Sequence, residues 1–127
     1  MDDTLLQALQ VLDRLDSRSA ERARTRLTRA PGDPDAISDL AELLVQNEQG
    51  DAAVQVWSHA LGLSPDHARS WDGLGGLFEQ VGALEDALGC MQEALGVEAT
   101  ALRHFRLGCV LQRLDRRAAA IDQYRKA

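Results

Sequence analysis

His59, His67 and His104 are the side chains best suited to hold a transition metal, but no cysteine or carboxylate stands at ligand spacing around them. No metal site is expected. Gly73, Gly75 and Gly76 contain a local G-x-G, yet they sit inside a helical stripe and follow no strand, so a phosphate-cradling loop is not expected either. The carboxylates are numerous, but none pairs with a candidate nucleophile or base, so no catalytic residue and no cofactor is expected. Cys90 and Cys109 are the only cysteines and lack C-x-x-C spacing. Both lie among apolar neighbours, and no secretory segment opens the chain, which fits core packing in a reduced, cytoplasmic protein. Recognition chemistry is what remains. Six arginines fall between Arg14 and Arg29, opposed by Asp13, Asp16 and Glu21. Four of them, Arg18, Arg22, Arg26 and Arg29, recur at helical spacing as one stripe. Such a stripe is either a solvated face or a binding surface for an acidic partner.

The elements that must carry these residues are helical by composition. Hydrophobic residues make up 45% of the 127 residues and aromatics only 4%, the balance of Ala/Leu-rich helices that bury many small contacts. A net charge of -6 argues against non-specific attraction to nucleic acid, which needs a basic face. No apolar run reaches the ~18 residues of a membrane span. Thirteen arginines against the single Lys126 suggest a GC-rich, bacterial coding sequence.

Punctuation divides the chain into short helices. Asp33 and Pro34 read as an N-cap with proline at the first helical position, followed by an apolar stripe of Ile37, Leu40, Ala41 and Leu44 that stops near Gly50. Asp51 is then expected to cap a second helix carrying Ala53, Val56, Trp57 and Ala60 and ending near Gly62 and Pro65. The pattern recurs in helices over 68–81 and 84–95, separated by a turn at Gly82 and closed by Gly96. It recurs again with Leu107, Gly108 and Leu111, a turn at Asp115, and Ala120, Tyr124 and Ala127. Ala53, Trp57 and Ala60 precede Ala87, Met91 and Ala94 by 34 residues, and the next step, to Ala120, Tyr124 and Ala127, is 33. Residues 4–30 form a degenerate pair. Leu5, Ala8, Leu9, Leu12 and Leu15 make one stripe, Asp16 and Ser17 the turn, and Ala23, Leu27 and Ala30 a spacing like that of Ala53, Trp57 and Ala60.

Trp71, Leu74, Gly75 and Phe78, followed by Ala87, Met91 and Ala94, come close to W-x2-L-G-x2-Y and A-x3-F on a period of about 34 residues. On these residues the chain resembles the tetratricopeptide repeat (TPR) family over 34–127, most strongly over 68–100. The resemblance implies an all-α fold, a right-handed superhelical stack of antiparallel helix hairpins. It would form a single domain with a degenerate pair at 4–30 and repeats at 34–67, 68–100 and 101–127, the last truncated at its C-terminal end. Gly75, Gly108, Ala41, Ala87 and Ala120 would lie where the helices cross. Trp57, Trp71, Phe78, Met91 and Tyr124 would be the knobs that fill the adjoining spaces.

Members of that family bind partners in a concave channel lined by the first helix of each hairpin. The resemblance carries this role to Ser38 and Glu42, then to Arg69, Asp72 and Glu79, and finally to Phe105, Arg106, Cys109, Gln112 and Arg113. Phe105 and Arg106 stand out, because aromatic and Arg side chains dominate interface energetics. The chaperone-tail members need Lys, Asn and Arg at set channel positions. Ser38, Glu42 and Gly73 stand at such places and only Arg106 fits, so that activity is disfavoured. The expected function is a non-enzymatic scaffold for a protein or peptide partner, with neither nucleic acid nor membrane involved. Two alternatives stand beside it. The chain would be the N-terminal recognition or oligomerisation module of a larger transferase or hydroxylase, or a homo-oligomer through an uncovered C-terminal face.

Overall fold

A computed structural model describes residues 1–127 as eight α-helices and no strand. They belong to two compact units, Met1–Ser70 and Trp71–Ala127. The first unit holds α1 (Asp3–Leu15), α2 (Ser17–Arg29), α3 (Pro34–Gln46), α4 (Gly50–Leu63) and the opening residues of α5 (Ala68–Gln80). Acidic caps start its first three helices. Asp2 accepts the Thr4 N–H at 2.8 Å, and Asp33 accepts the Asp35 N–H at 3.0 Å, ahead of Pro34. Asp16 does two jobs: its N–H closes α1 on the Leu12 carbonyl, and its carboxylate accepts the Ser19 N–H and hydroxyl at 3.1 and 2.7 Å. Those two bonds from Ser19, the hydroxyl's first, hold the Asp16 carboxyl below its ordinary range.

Asp51 is not the cap of α4. It lies within the first turn, after Gly50, and no side chain caps that helix. The tight turn before α4 sets its start instead. Glu48 adopts φ +61°, its N–H bonds the Val45 carbonyl at 3.0 Å, and the Gln49 N–H bonds the Leu44 carbonyl at 2.8 Å. This is a Schellman closure, with the orphan carbonyls of α3 satisfied by a residue in the left-handed region.

Trp57 fills the first core. It stands with Ala53, Val56 and Ala60 on α4 against Ile37, Leu40, Ala41 and Leu44 of α3, all buried, and its indole N–H donates to Ser38 Oγ at 3.0 Å. Helix α2 follows a register other than the expected one. Ala20 and Leu27 are its buried residues, whereas Ala23 and Ala30 are only half-buried. The closing residues Ala30 of α2 and Ser64 of α4, 34 apart, have similar backbone dihedrals, φ/ψ −143°/73° and −139°/85°, while the two helices start 33 apart, at Ser17 and Gly50. Helix α1 packs on α2, α3 and α4, with Thr4, Gln7, Ala8 and Val11 facing Ala52 and Gln55 of α4. His59 of α4 lies 3.6 Å from the Asp2 carboxylate.

The second unit holds the rest of α5, then α6 (Leu84–Val97), α7 (Ala101–Arg113) and α8 (Arg117–Lys126). Helix α6 runs through Gly96, the expected stop, to Val97, and Thr100 caps α7 by accepting the Arg103 N–H at 3.2 Å. Ala127 lies beyond the last residue of α8. Leu88, Met91, Leu107, Val110, Leu111 and Ala120 form the core, flanked by Leu84, Leu95, Leu114 and Tyr124. The Schellman closure appears twice more. At Gly82 (φ +83°) the Ala83 N–H bonds the Phe78 carbonyl, and at Asp115 (φ +60°) the Arg116 N–H bonds the Leu111 carbonyl, each at 2.8 Å. Residues 48, 82 and 115 therefore repeat the turn at the 34- and 33-residue steps of the sequence pattern.

Three glycines differ in what they demand. A Cβ on Gly82 would meet nothing, so only its backbone conformation matters. A Cβ on Gly108 would fall 2.6 Å from the Tyr124 ring, and one on Gly75 3.2 Å from the flexible Met91 side chain. Gly82→Ala is expected to destabilise the chain by about 1 kcal/mol through the left-handed φ alone. Gly108→Ala should cost about 1–3 kcal/mol by displacing Tyr124, and Gly75→Ala should stay near neutral, because Met91 can move and helix propensity improves. Urea denaturation of the three variants checks the ranking.

Candidate interaction surfaces

In the first unit, α3 presents Asp35, Asp39 and Glu42 along one exposed stripe. Arg69, in the first turn of α5, fans across all three. Its guanidinium lies 3.0 Å from Glu42 Oε2 and 3.7 Å from Asp35 Oδ1, and it also bonds Asp39. Arg26 of α2 reaches the same Asp39 from the other side and lies 3.9 Å from Asp33. His67 ties the N-terminus of α3 to that of α5, with Nε2 2.8 Å from Asp35 Oδ1 and Nδ1 2.7 Å from the buried Ser70 hydroxyl. A neutral ring satisfies both contacts when Nε2–H donates to Asp35 and the Ser70 hydroxyl donates to Nδ1.

An open groove of about 280 Å³ runs between α2 and α3. Ser19, Arg22, Ala23 and Arg26 line one side, and Ala36, Asp39 and Leu43 the other. The arginine stripe of the sequence is thus one wall of a concavity. In the sequence only the cationic run of α2 signals it, because the acidic stripe of α3 that faces it lies in a separate segment.

In the second unit, Arg103 makes a forked pair with Asp72 at 3.1 and 2.9 Å and bonds the Glu98 carbonyl at 2.9 Å. The pair is largely sheltered, with side chains 15% and 26% exposed, and the bond to Asp72 raises the Arg103 pKa further. Arg113 lies 3.8 Å from Glu79, and Arg116, just before α8, reaches back to Glu85 of α6 at 2.6 Å. Elsewhere on α7, Phe105 is 51% exposed and its ring stands 5.8 Å from that of Tyr124, tilted by 43°. Tyr124 donates its hydroxyl to Gln112 at 2.7 Å and lies 3.7 Å from the half-buried Cys109 sulfur. Arg106 is exposed and forms no salt bridge.

The residues carried over as channel positions therefore divide. Ser38 does not face a partner: it is fully buried and satisfies the indole of Trp57. Glu42 and Arg69 hold one another, Asp72 is held by Arg103, and Glu79 by Arg113. Cys109 and Gln112 support Tyr124, which leaves Phe105 and Arg106 unspent. The Cys90 thiol, buried and near Asp86 and Glu93, is pushed up to about 11 by desolvation first, and stays protonated at neutral pH.

The Asp35 carboxyl is held below its ordinary value of 3.8, chiefly by the hydrogen bond from His67, which outweighs the opposing desolvation, with the nearby Arg69 and Arg26 adding to it. A depressed folded-state value means the stabilisation is complete above 3.8 and is lost as pH falls through the lower folded value. Asp35→Asn should therefore lose less melting temperature than the parent between about pH 5 and 2.5. Asp2 and Asp16, also depressed, remain in both proteins as a common background. Parallel thermal melts across that range check the difference.

No model of a known protein family matches the chain. No curated protein sequence matches it. Solved structures of MamA are similar in fold. In one, at 18% identity, the likeness covers 99% of this chain and 72% of that one with a TM-score of 0.73. In MamA AMB-1, at 20% identity, it covers 87% and 61% with a TM-score of 0.71. The chain spans between 61% and 72% of the length of these two proteins. At such identity the likeness speaks to architecture, and with eight helices and no strand it establishes an all-α, TPR-like helical-repeat fold.

Proposed function

We propose that this chain is a non-enzymatic protein-interaction scaffold that captures a peptide segment on the exposed face of α7. The observation that carries this reading is Phe105. Its ring is half in solvent, braced by Tyr124, next to the unpaired Arg106 and the 56% exposed Leu102. The neighbouring charges on α5 and α7 are already engaged within the chain, so an aromatic and an arginine are what this surface offers a partner. Between Ala101 and Ala127 seven Lys and Arg residues stand against two Asp, which favours an acidic segment. The same excess disfavours the pairing of two such faces with one another. Fold likeness to MamA supports the reading at the level of architecture alone.

Peptides selected from a random display library on the full chain should be acidic. They should lose about tenfold or more in affinity on Phe105→Ala, and less on Arg106→Ala, with the circular dichroism spectrum unchanged. A selection that yields no saturable binder, or binders indifferent to both substitutions, overturns the proposal.

A further inference from the structure

We propose that the groove between α2 and α3 is a berth for an acidic amphipathic helix supplied by a partner protein. Ser19, Ala23 and Arg26 stand 34 residues before Ala53, Trp57 and Ala60, the side of α4 that packs against α3. On α4 that side is filled by the leading helix of its hairpin, with Trp57 bonded to Ser38. On α2, Ser19, Ala23 and Arg26 line open space instead, while α1 packs on α2 elsewhere and also faces Ala52 and Gln55 of α4. The groove lies beside a 13-residue helix about 20 Å long.

The lining states what the occupant must carry. Ala23, Ala36 and Leu43 give a small apolar floor. The adjoining depression of about 670 Å³ holds Arg18, Arg22, Arg26 and Arg29. Of these only Arg26 is in a salt bridge, to Asp33 and Asp39; Arg18 and Arg22 feel Asp16 only at longer range. A helix with an apolar stripe flanked by carboxylates answers both demands. Glu21, Asp33 and Asp39 line the same two concavities and would repel a continuous phosphate backbone, which favours a protein over a nucleic acid. A second copy of the chain is a poor donor, since the apolar stripe of its matching helix α3 is already buried.

The proposal rests on the reading of the chain as an interaction scaffold but not on Phe105, and the test keeps the two apart. The probe is a fluorescent peptide of residues 34–46, which carries Ile37, Leu40, Ala41 and Leu44 on one stripe and Asp35, Asp39 and Glu42 beside it. It is titrated with the full chain and followed by anisotropy. Saturable binding is expected, weakened about tenfold, the effect of three rim ion pairs, when the peptide carries Asp35→Asn, Asp39→Asn and Glu42→Gln. A similar loss is expected when the chain carries Arg18→Gln, Arg22→Gln and Arg29→Gln, all at exposed sites. Ala23→Trp, which fills the floor, should abolish binding, and Phe105→Ala should leave it unchanged. Absence of saturation at millimolar chain, equal affinity for charged and neutralised peptides, or indifference to Ala23→Trp overturns the berth. Tighter binding of a single-stranded oligonucleotide that displaces the peptide overturns it in favour of phosphate. Failure here with display-selected peptides still sensitive to Phe105→Ala removes the berth alone, whereas failure of both removes the scaffold reading as well.

Discussion

Close crossing of paired helices depends on a residue without bulk facing one with it. Gly108 leaves no more room than the Tyr124 ring occupies, Gly75 admits Met91, and Trp57 lies flush with α3 because Ala41, Ala53 and Ala60 are all buried without bulk. Dispersion is strong only at such distances, so the hairpins gain their stability from many short contacts where aromatics are few. Close crossing also fixes where the chain must reverse. Each of α3, α5 and α7 ends in the same left-handed turn at residues 48, 82 and 115, and the backbone bonds across that turn launch the second helix at one angle. That is why α4, α6 and α8 do without a side-chain cap.

Ion pairs hold successive leading helices to one another. The first-turn arginines do this work: Arg69 grips α3, and Arg103 grips Asp72 of α5. An exposed pair contributes about 0–1 kcal/mol, whereas the forked and sheltered Arg103–Asp72 pair belongs at the upper end. The consequence for recognition is subtractive. Charges that look available along the sequence are engaged within the chain itself, and what is left over is Phe105 and Arg106 on α7 and the unpaired arginines of α2, on which the proposed recognition rests.

The eight helices and their turns were legible, because hydrophobic period and punctuation are local properties: Asp33 with Pro34, Gly82, and the recurrence of Ala53, Ala87 and Ala120 each announce themselves within a few residues. Three features were not. Asp51 reads as a cap because its type is right, but the preceding turn already satisfies the helix start. Ser38 reads as exposed until the indole of Trp57, 19 residues away, is brought to it. The Arg69 and Arg103 pairs join residues about thirty apart, a separation at which a single sequence carries no pairing signal. The register of α2 failed for a related reason: Ala23, Leu27 and Ala30 imitate the spacing of the later repeats, but Ala20 and Leu27 are the residues that α2 buries.

The first hairpin departs from the others in the charge that α2 carries. Arg22 and Arg26 stand 34 residues before Val56 and Ala60, both fully buried. A leading helix packed on α2 as α3 packs on α4 would bury two guanidinium groups, at a cost of several kcal/mol for any left unpaired. Helix α1 brings Leu5, Leu9 and Leu12 as its buried face and no carboxylate among them. It buries those leucines against α2, α3 and α4 together. Arg22 and Arg26 thus line a groove that stays open beside α3, and they set the condition for filling it: whatever enters must arrive with negative charge of its own.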